Sequence, residues 1–364
     1  MTVLDDIAKK CYSLKDSVAD HSTESLKRLF VEEFGQSQIS SLKNILVSDR
    51  ESYLALFDAF DKAQSEDLES RQDLSKKERE IVSDLFTNGV TKVKGLIPRE
   101  HIDRSISVLN VIHNSVDANK RFRSGYILPG GAHHPSGPND GQVRVQSKTW
   151  GSHLAGAREI ANMQSMVNIF AGYNSLREYE ISRSTMEWIY PSPINHNGWH
   201  RDMVMHRMKA MVLLKDCGYD SAPFLYAKKS HRTTTEFDKQ HLFDRFCLPG
   251  SSKQGKRETW TSGRQTWPEY ALENPKKHCG YVGDTSAPND LSLEARKSGV
   301  VTISGSEYDM FVGVGKAGDV IFFDSCGLHS GSKALKETRR NISFSGFKHL
   351  SPKNVFFNLV QRLV

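Results

Sequence analysis

The chain has 364 residues, 38% of them hydrophobic and 25% charged, with a formal net charge of +6; that is room for one large domain or two smaller ones, in the composition of an ordinary globular protein. No apolar run approaches the ~20 residues of a bilayer-spanning helix, and no dense Lys/Arg stripe with interleaved aromatics marks a nucleic-acid surface, so neither a membrane nor a nucleic acid is an expected partner. Cys11, Cys217, Cys247, Cys279 and Cys326 are scattered with no CxxC pair, which excludes a disulfide framework and a thiolate zinc site.

The start of the chain, "MTVLDDIAKKCYSLKDS", carries two early acids and no long apolar centre, so it does not read as a secretory signal and a reducing, cytoplasmic setting is expected. The same stretch places Val3, Leu4, Ile7, Ala8, Cys11 and Leu14 on one helical face. "TESLKRLFVEEFG" repeats the theme and stops at Gly35, and "SSLKNILV" and "SYLALFDAF" continue it. Residues 63–77 are polar and read as a linker or an exposed helix end. A second unit begins near 76, giving a helical N-terminal extension over 1–75 and a main domain over 76–364. Ser75 and Glu78 stand at capping-box spacing ahead of Ile81, Val82, Leu85 and Phe86, with Asn88–Gly89 as the stop. A short strand, "VTKVKGLI", precedes a helix that carries Pro98 in its first turn. Residues 125–141 read as a Gly/Pro-rich loop and 143–180 as mostly helical. Beyond 183 come short β-like runs with Gly and Pro at the joints: "TMEWIY", "MVMHRMKAMVLL", "PFLYA", "GVVTI", "DMFVGVG", "GDVIFFD" and "RRNISFSGF". They predict a mainly β core with flanking helices, a sandwich or barrel. A polar insertion interrupts it at about 232–299.

The chemistry gathers around "HNGWHRDMVMH". His200 and Asp202 are two apart, so on extended chain they point to one side and can offer an imidazole and a carboxylate to one ion. His329, just past the apolar "GDVIFFD", is the candidate third ligand. Two His and one carboxylate on one face of an iron leave three positions open, the facial triad of non-haem Fe(II) oxygenases. A bidentate 2-oxo acid fills two of them and O2 the third. If that acid is 2-oxoglutarate, its far carboxylate needs a cation, and Arg supplies the better fork. Arg339 and Arg340 follow His329 and face opposite sides of a strand. Arg339 shares its side with Asn341, Ser343 and Ser345, Arg340 with Ile342 and Phe344, so Arg339 is the preferred anchor.

This order of HxD, a long gap, a His before a small-residue turn and an Arg about ten residues on resembles the phytanoyl-CoA dioxygenase family of Fe(II)/2-oxoglutarate oxygenases. "IVSDLFTNGVTKVKGLIPREHIDRSI" is similar to that family's opening helix, strand and helix, and "SAPFLYAKKSHR" stands where the family has a strand ending in a "GSH" turn. The likeness covers roughly 78–350. It departs at "AKKSH" and at Ala222, where the family has Gly. The resemblance implies a double-stranded β-helix (a jelly-roll, cupin-like) binding Fe(II), 2-oxoglutarate and O2, with the iron at its open end. It also implies oxidation of an unactivated C–H by hydroxylation, desaturation or ring closure, with 2-oxoglutarate decarboxylated to succinate and CO2.

Other residues carry weaker readings. Ser330 and Ser332 flank the turn after His329 and are candidates for hydrogen bonds to the co-substrate, although turn propensity explains them equally well. Trp188 and Tyr190, and Asn341 beside Arg339, are candidate substrate-pocket residues; core packing is the competing reading for the two aromatics, as it is for Trp199 and Phe224. His206 reads as a barrel-wall residue, and His133 and His134 as solvated loop residues. Lys253, Lys256, Arg257 and Arg264 in the insertion suit a carboxylated small-molecule substrate or simply keep a loop soluble. The N-terminal stripes suit packing on the barrel, or failing that a dimer, so a monomer or homodimer is expected. The competing function is a cupin-like binding protein with a non-redox metal, for which an anchoring Arg would have no use.

Overall fold

The computed structural model describes residues 3–17, 23–115, 125–129, 142–147, 156–189, 197–202, 207–247, 291–346 and 350–362. Its strands are β1 (Val90–Val93), β2 (Gly125–Pro129), β3 (Gln142–Ser147), β4 (Arg183–Ile189), β5 (Asn197–His200), β6 (Met208–Leu213), β7 (Phe224–Ala227), β8 (Val300–Ile303), β9 (Ser306–Val312), β10 (Val320–Asp324), β11 (His329–Gly331) and β12 (Arg339–Ser345). They form a seven-stranded sheet, β1-β10-β6-β12-β4-β3-β2, and a five-stranded sheet, β5-β11-β7-β9-β8. From β4 to β7, and again from β9 to β12, each connection carries the chain from one sheet to the other. With antiparallel pairing in both sheets, that alternation is the double-stranded β-helix, or jelly-roll.

Strand parity decides what each face carries. On the larger sheet Met186, Trp188, Met208, Ala210, Val212, Val320, Phe322, Ile342 and Phe344 point outward and share one core with the covering helices. These are α5 (Lys76–Asn88), α6 (Arg99–Ser115), α7 (Ala157–Ala161) and α8 (Gln164–Tyr173). The alternate residues Met211, Leu213, Ile321 and Phe323 point inward, where Phe224 and Tyr226 of the smaller sheet meet them. The start of α5 is fixed by the capping box read from the sequence: Glu78 N–H donates to Ser75 Oγ at 3.3 Å, and Ser75 N–H to Glu78 Oε2 at 2.8 Å. It ends at Gly89, which adopts φ 75° and leads straight into β1; a Cβ there would collide with the Tyr226 hydroxyl and the His231 ring.

The N-terminal helices α1 (Val3–Leu14), α2 (Thr23–Phe34), α3 (Gln36–Ser48) and α4 (Arg50–Ser70) form a second core with α9 (Glu236–Cys247) and the C-terminal helix α11 (Pro352–Arg362). Tyr53, Phe57, Phe60, Phe246, Phe356 and Phe357 meet ring to ring at its centre. Between α9 and α11 comes the short helix α10 (Leu293–Ser298). Among the described residues no helix is long and apolar enough to cross a membrane.

Three local expectations are corrected. Residues 63–70 take the helix-end reading and not the linker one, although the end is not simply exposed: α4 runs through them, burying Ala63, Gln64 and Leu68. Gly125–Pro129 is a strand at the sheet's end rather than the start of a loop, paired with Gln142–Ser147, which is also strand and not helix. The polar insertion contributes α9 and α10 at its two ends; residues 248–290, with Lys253, Lys256, Arg257 and Arg264, lie outside the described residues, as do Tyr190, His206, His133 and His134.

Candidate metal centre

The antiparallel register of β5 and β11 sets His200 directly opposite His329. Their imidazoles therefore leave neighbouring strands side by side, with ring centroids 4.4 Å apart. Asp202 lies two residues past the end of β5, where its N–H donates to the Ser325 carbonyl at 3.0 Å. That bond turns its carboxylate back toward the two rings. Oδ1 lies 3.5 Å from His200 Nε2, and Oδ2 lies 3.2 Å from His329 Nε2. One ligand atom from each of the three residues falls within 4.8 Å of the others. His329 thus sits on a short strand, rather than in the turn that its Ser/Gly surroundings suggest.

The chemistry of this set fits a divalent ion. Metal ligands must shed their protons. Burial lowers the His329 pKa, and the neighbouring His200 adds to it, against the opposing pull of Asp202. Burial pushes the Asp202 carboxyl up, but the Lys209 ammonium, foremost, and the histidines beside it outweigh this and hold the group well below the usual carboxylate range. Asp202 is therefore a carboxylate, and His329 a neutral imidazole, at neutral pH. The tautomer is set as well: His329 Nδ1 lies 2.9 Å from the Gly327 carbonyl, which can only accept, so Nδ1 carries the proton and Nε2 turns its lone pair to the site.

Two charged residues absent from the sequence reading support this arrangement. Lys209, on the inner parity of β6, pairs with Asp202 Oδ2; that parity was the available signal. Arg201, between the two ligands, is fully buried, as is its partner Asp238 on α9. Its guanidinium also donates to the carbonyls of Ser230 and, at 2.7 Å, Cys326, and to His241 Nδ1 at 3.0 Å. One side chain thus ties the His200–Asp202 segment, the end of β7, the turn before His329 and α9 together. Nothing local in "HRD" signals this, because the partners lie far along the chain.

The two arginines of β12 separate as parity requires. Arg339 is buried on the inner face, donating from Nη1 to the Ala222 carbonyl at 2.6 Å, with Nη2 4.0 Å from Glu187 Oε2. Asn341, also inward, donates to that same Glu187 oxygen at 3.0 Å. Arg340 lies outside the barrel, its guanidinium 3.7 Å from the Trp188 ring centroid and donating to Asn110 at 3.3 Å. Trp188 is correspondingly part of the outer core and not a pocket wall, and Trp199 packs beneath the smaller sheet. Ser330 is buried on β11; Ser332 spends its proton on the Pro223 carbonyl, which leaves it no proton to donate to a co-substrate. Phe224 does reach the site, with its ring 5.8 Å from that of His329.

No protein-family model matches the sequence, and no curated protein matches it. Among solved structures the chain is similar to EvdMO1, at 13% identity and a TM-score of 0.41, over 74% of this chain and only 50% of that one. It is similar to SnoK, a non-haem α-ketoglutarate-dependent carbocyclase from nogalamycin biosynthesis, at 13% identity and a TM-score of 0.42, over 75% of this chain and 83% of that one. It is likewise similar to HygX from Streptomyces hygroscopicus, solved with nickel and 2-oxoglutarate bound, at 11% identity and a TM-score of 0.41, over 74% of this chain and 86% of that one.

Proposed function

We propose that this protein is a mononuclear Fe(II)/2-oxoglutarate-dependent oxygenase that oxidises a C–H bond of a small molecule. One observation carries the reading. Two imidazoles and a carboxylate converge in a jelly-roll whose inner face also buries an arginine, Arg339, away from the triad. His200, Asp202 and His329 would hold the ion, and a facial set of that kind leaves room for a bidentate 2-oxo acid and for O2. The bound ion would supply the redox chemistry that couples decarboxylation of 2-oxoglutarate to oxidation of the substrate.

The chain's own residues do the rest. Arg339 offers a planar fork to the far carboxylate of the diacid. Phe224, Phe323, Tyr226 and Met211 keep water from the inner wall. The Gly327 carbonyl holds the proton on His329 Nδ1, and Lys209 holds one oxygen of Asp202, limiting how that carboxylate turns. Iron-dependent release of succinate from 2-oxoglutarate is the test. It is expected from the native chain and absent in Asp202→Ala; undiminished release in that variant would sink the assignment.

Glu187 favours a second reading, a non-redox metal-binding barrel. It stands close enough to Arg339 to compete for the guanidinium that a diacid would need. Calorimetry separates the two: a non-redox barrel binds metal but gains no affinity for 2-oxoglutarate from Arg339.

A further inference from the structure

β10 ends at Asp324 in one sheet and β11 begins at His329 in the other, so Ser325, Cys326, Gly327 and Leu328 alone join the two. The first three of these each turn a carbonyl toward the chain that carries the candidate ligands. Ser325 accepts the Asp202 N–H at 3.0 Å, Cys326 accepts from Arg201 Nη1 at 2.7 Å, and Gly327 accepts the proton of His329 Nδ1 at 2.9 Å. Asp202, His329 and the residue between His200 and Asp202 thus hang on three consecutive peptide groups. His200 follows at one remove, since it stands opposite His329 in the register of β5 and β11.

Asp324 holds that turn. Its Oδ1 accepts the Cys326 N–H at 2.8 Å and the Arg207 N–H at 3.0 Å, and its Oδ2 accepts the Tyr173 hydroxyl at 2.6 Å. Its carbonyl accepts the Gly327 N–H at 3.1 Å and the Tyr226 hydroxyl at 3.0 Å. Asp324 has the outward parity of Val320 and Phe322, so its carboxylate ends an apolar row, fully buried, and Tyr173 reaches it from α8. Burial, and then the Asp324 charge, push the Tyr173 hydroxyl well above the ordinary phenol value, so it keeps the proton that it donates. A carboxylate in such a place is costly unless its oxygens are matched. An Asx turn would need only the bond to Cys326. The further partners, from α8 and from the chain entering β6, tie the turn to the rest of the fold. Gly327 leaves it no slack, because a Cβ there would overlap the Tyr226 hydroxyl.

We propose that Asp324 is a positioning residue for the metal centre: bonded to Tyr173 and to the Cys326 and Arg207 amides, it fixes the turn at 325–327, whose three carbonyls hold Asp202, Arg201 and His329 in place. A metal site tolerates only about 0.5 Å of error in its ligands, so a turn that relaxes loosens several of them at once. This assignment rests on the oxygenase reading above and adds to it a buried acid that acts on the ion without touching it.

The test titrates the full chain anaerobically with Fe(II) and, for its visible ligand-field bands, with Co(II). Asp324→Ala is expected to lose about tenfold or more in affinity for both, measured on the folded fraction, and to alter the Co(II) bands, which report ligand geometry. Asp324→Asn keeps an oxygen for the two amide N–H groups and gains an NH2 that can donate to the Tyr173 oxygen. It is expected to stay within about threefold of the native affinity. Phe57→Ala, in the helical core, is expected to lose stability and keep the native bands. Native affinity and native bands in Asp324→Ala overturn the proposal. A loss in Asp324→Asn as large as in the Ala variant overturns it too, since charge alone would then explain the effect. So does the same band change in Phe57→Ala, since the site would then answer to any loss of packing. Should Asp324→Ala fail to fold, Tyr173→Phe is read in its place, since it removes one hydroxyl and keeps the ring: binding about threefold weaker with altered bands supports the proposal, and native bands overturn it. Failure of the native chain to bind either metal strikes the oxygenase reading instead.

Discussion

In the helical layer, Tyr53, Phe57, Phe60, Phe246, Phe356 and Phe357 fill the interior with rings, and a cation among them, Lys353, is paired with Asp61 at 2.5 Å and stacked on Phe57. Inside the barrel, Arg339, Glu187, Asn341 and His329 are buried just as deeply, beside only a small aromatic cluster. Burying apolar rings stabilises a fold at little risk. Burying polar groups stabilises it only where every one is matched, and such groups are otherwise kept for what they bind. The difference assigns stability to the first region and chemistry to the second, and substitutions can separate the two.

The largest separation is expected between Asp202→Ala and Phe57→Ala. The first removes a proposed metal ligand, so metal affinity and succinate release are expected to fall to background. The Asp202–Lys209 pair keeps 29% and 26% of its side-chain surface exposed, so its loss moves the unfolding midpoint little. Phe57→Ala does the reverse. It opens a cavity in the aromatic cluster and takes the ring from beneath Lys353, for a loss of about 3–5 kcal/mol by urea denaturation, with unchanged turnover per folded molecule. If both variants lose stability alike, the division into two kinds of interior fails.

Arg201 belongs to both regions, since it joins the ligand segments to α9. Asp238→Asn breaks a fully buried ion pair, and about 3–5 kcal/mol of stability is expected to go with it. A purely structural pair would stop there. Because Arg201 sits between two proposed ligands, metal affinity measured on the folded fraction is expected to drop at least tenfold as well. Unchanged metal affinity would make Arg201 a core residue and nothing more.

Much of this was legible in the sequence, and what was not has physical causes. The strand runs, the capping box at Ser75 and Glu78, and the opposite faces of Arg339 and Arg340 all follow from short-range periodicity. Residues 63–70 misled because α4 turns a charged side to solvent and places Gln64 inward, where its amide donates to the Tyr173 carbonyl at 2.6 Å. Polarity there marks a satisfied buried amide, not a linker. Gly125–Pro129 misled because Gly and Pro usually mark loops, whereas Pro is tolerated at the edge of a sheet. That Lys209 of β6, Ser345 of β12 and Arg183 of β4 stand side by side could not be read at all, because three strands must first be paired in register before those residues become neighbours.

A smaller contrast lies within β12. Arg339→Met should weaken 2-oxoglutarate binding about tenfold or more, since a charge-assisted hydrogen bond to a carboxylate contributes about 1.5–3 kcal/mol. Arg340→Met should leave that affinity alone and cost about 0.5–1 kcal/mol of stability through its contact with Trp188. Equal effects on 2-oxoglutarate from both would mean that the inner face is not where the diacid lies.

The smallest expected effect is one of pH in the metal-free protein. The folded state holds the His329 pKa below the ordinary imidazole value, first by burial and then by His200. Between that lowered value and about 6.5, the unfolded chain binds a proton at this position that the folded chain refuses. Stability therefore rises with pH across that window; the contribution is complete above about 6.5 and is lost on acidification through the folded value. His329→Gln should flatten this part of the urea-midpoint profile. Phe57→Ala should lower the whole profile and leave its slope intact, because the ring it removes does not titrate and Lys353 keeps its Asp61 partner. Saturating metal should do the opposite of the Gln substitution: it keeps the slope within the window and extends it to lower pH, since an occupied Nε2 takes up no proton while the unfolded chain still does. A slope that ends at the same pH with and without metal would mean that the titrating group lies elsewhere, and that His329 does not face the ion.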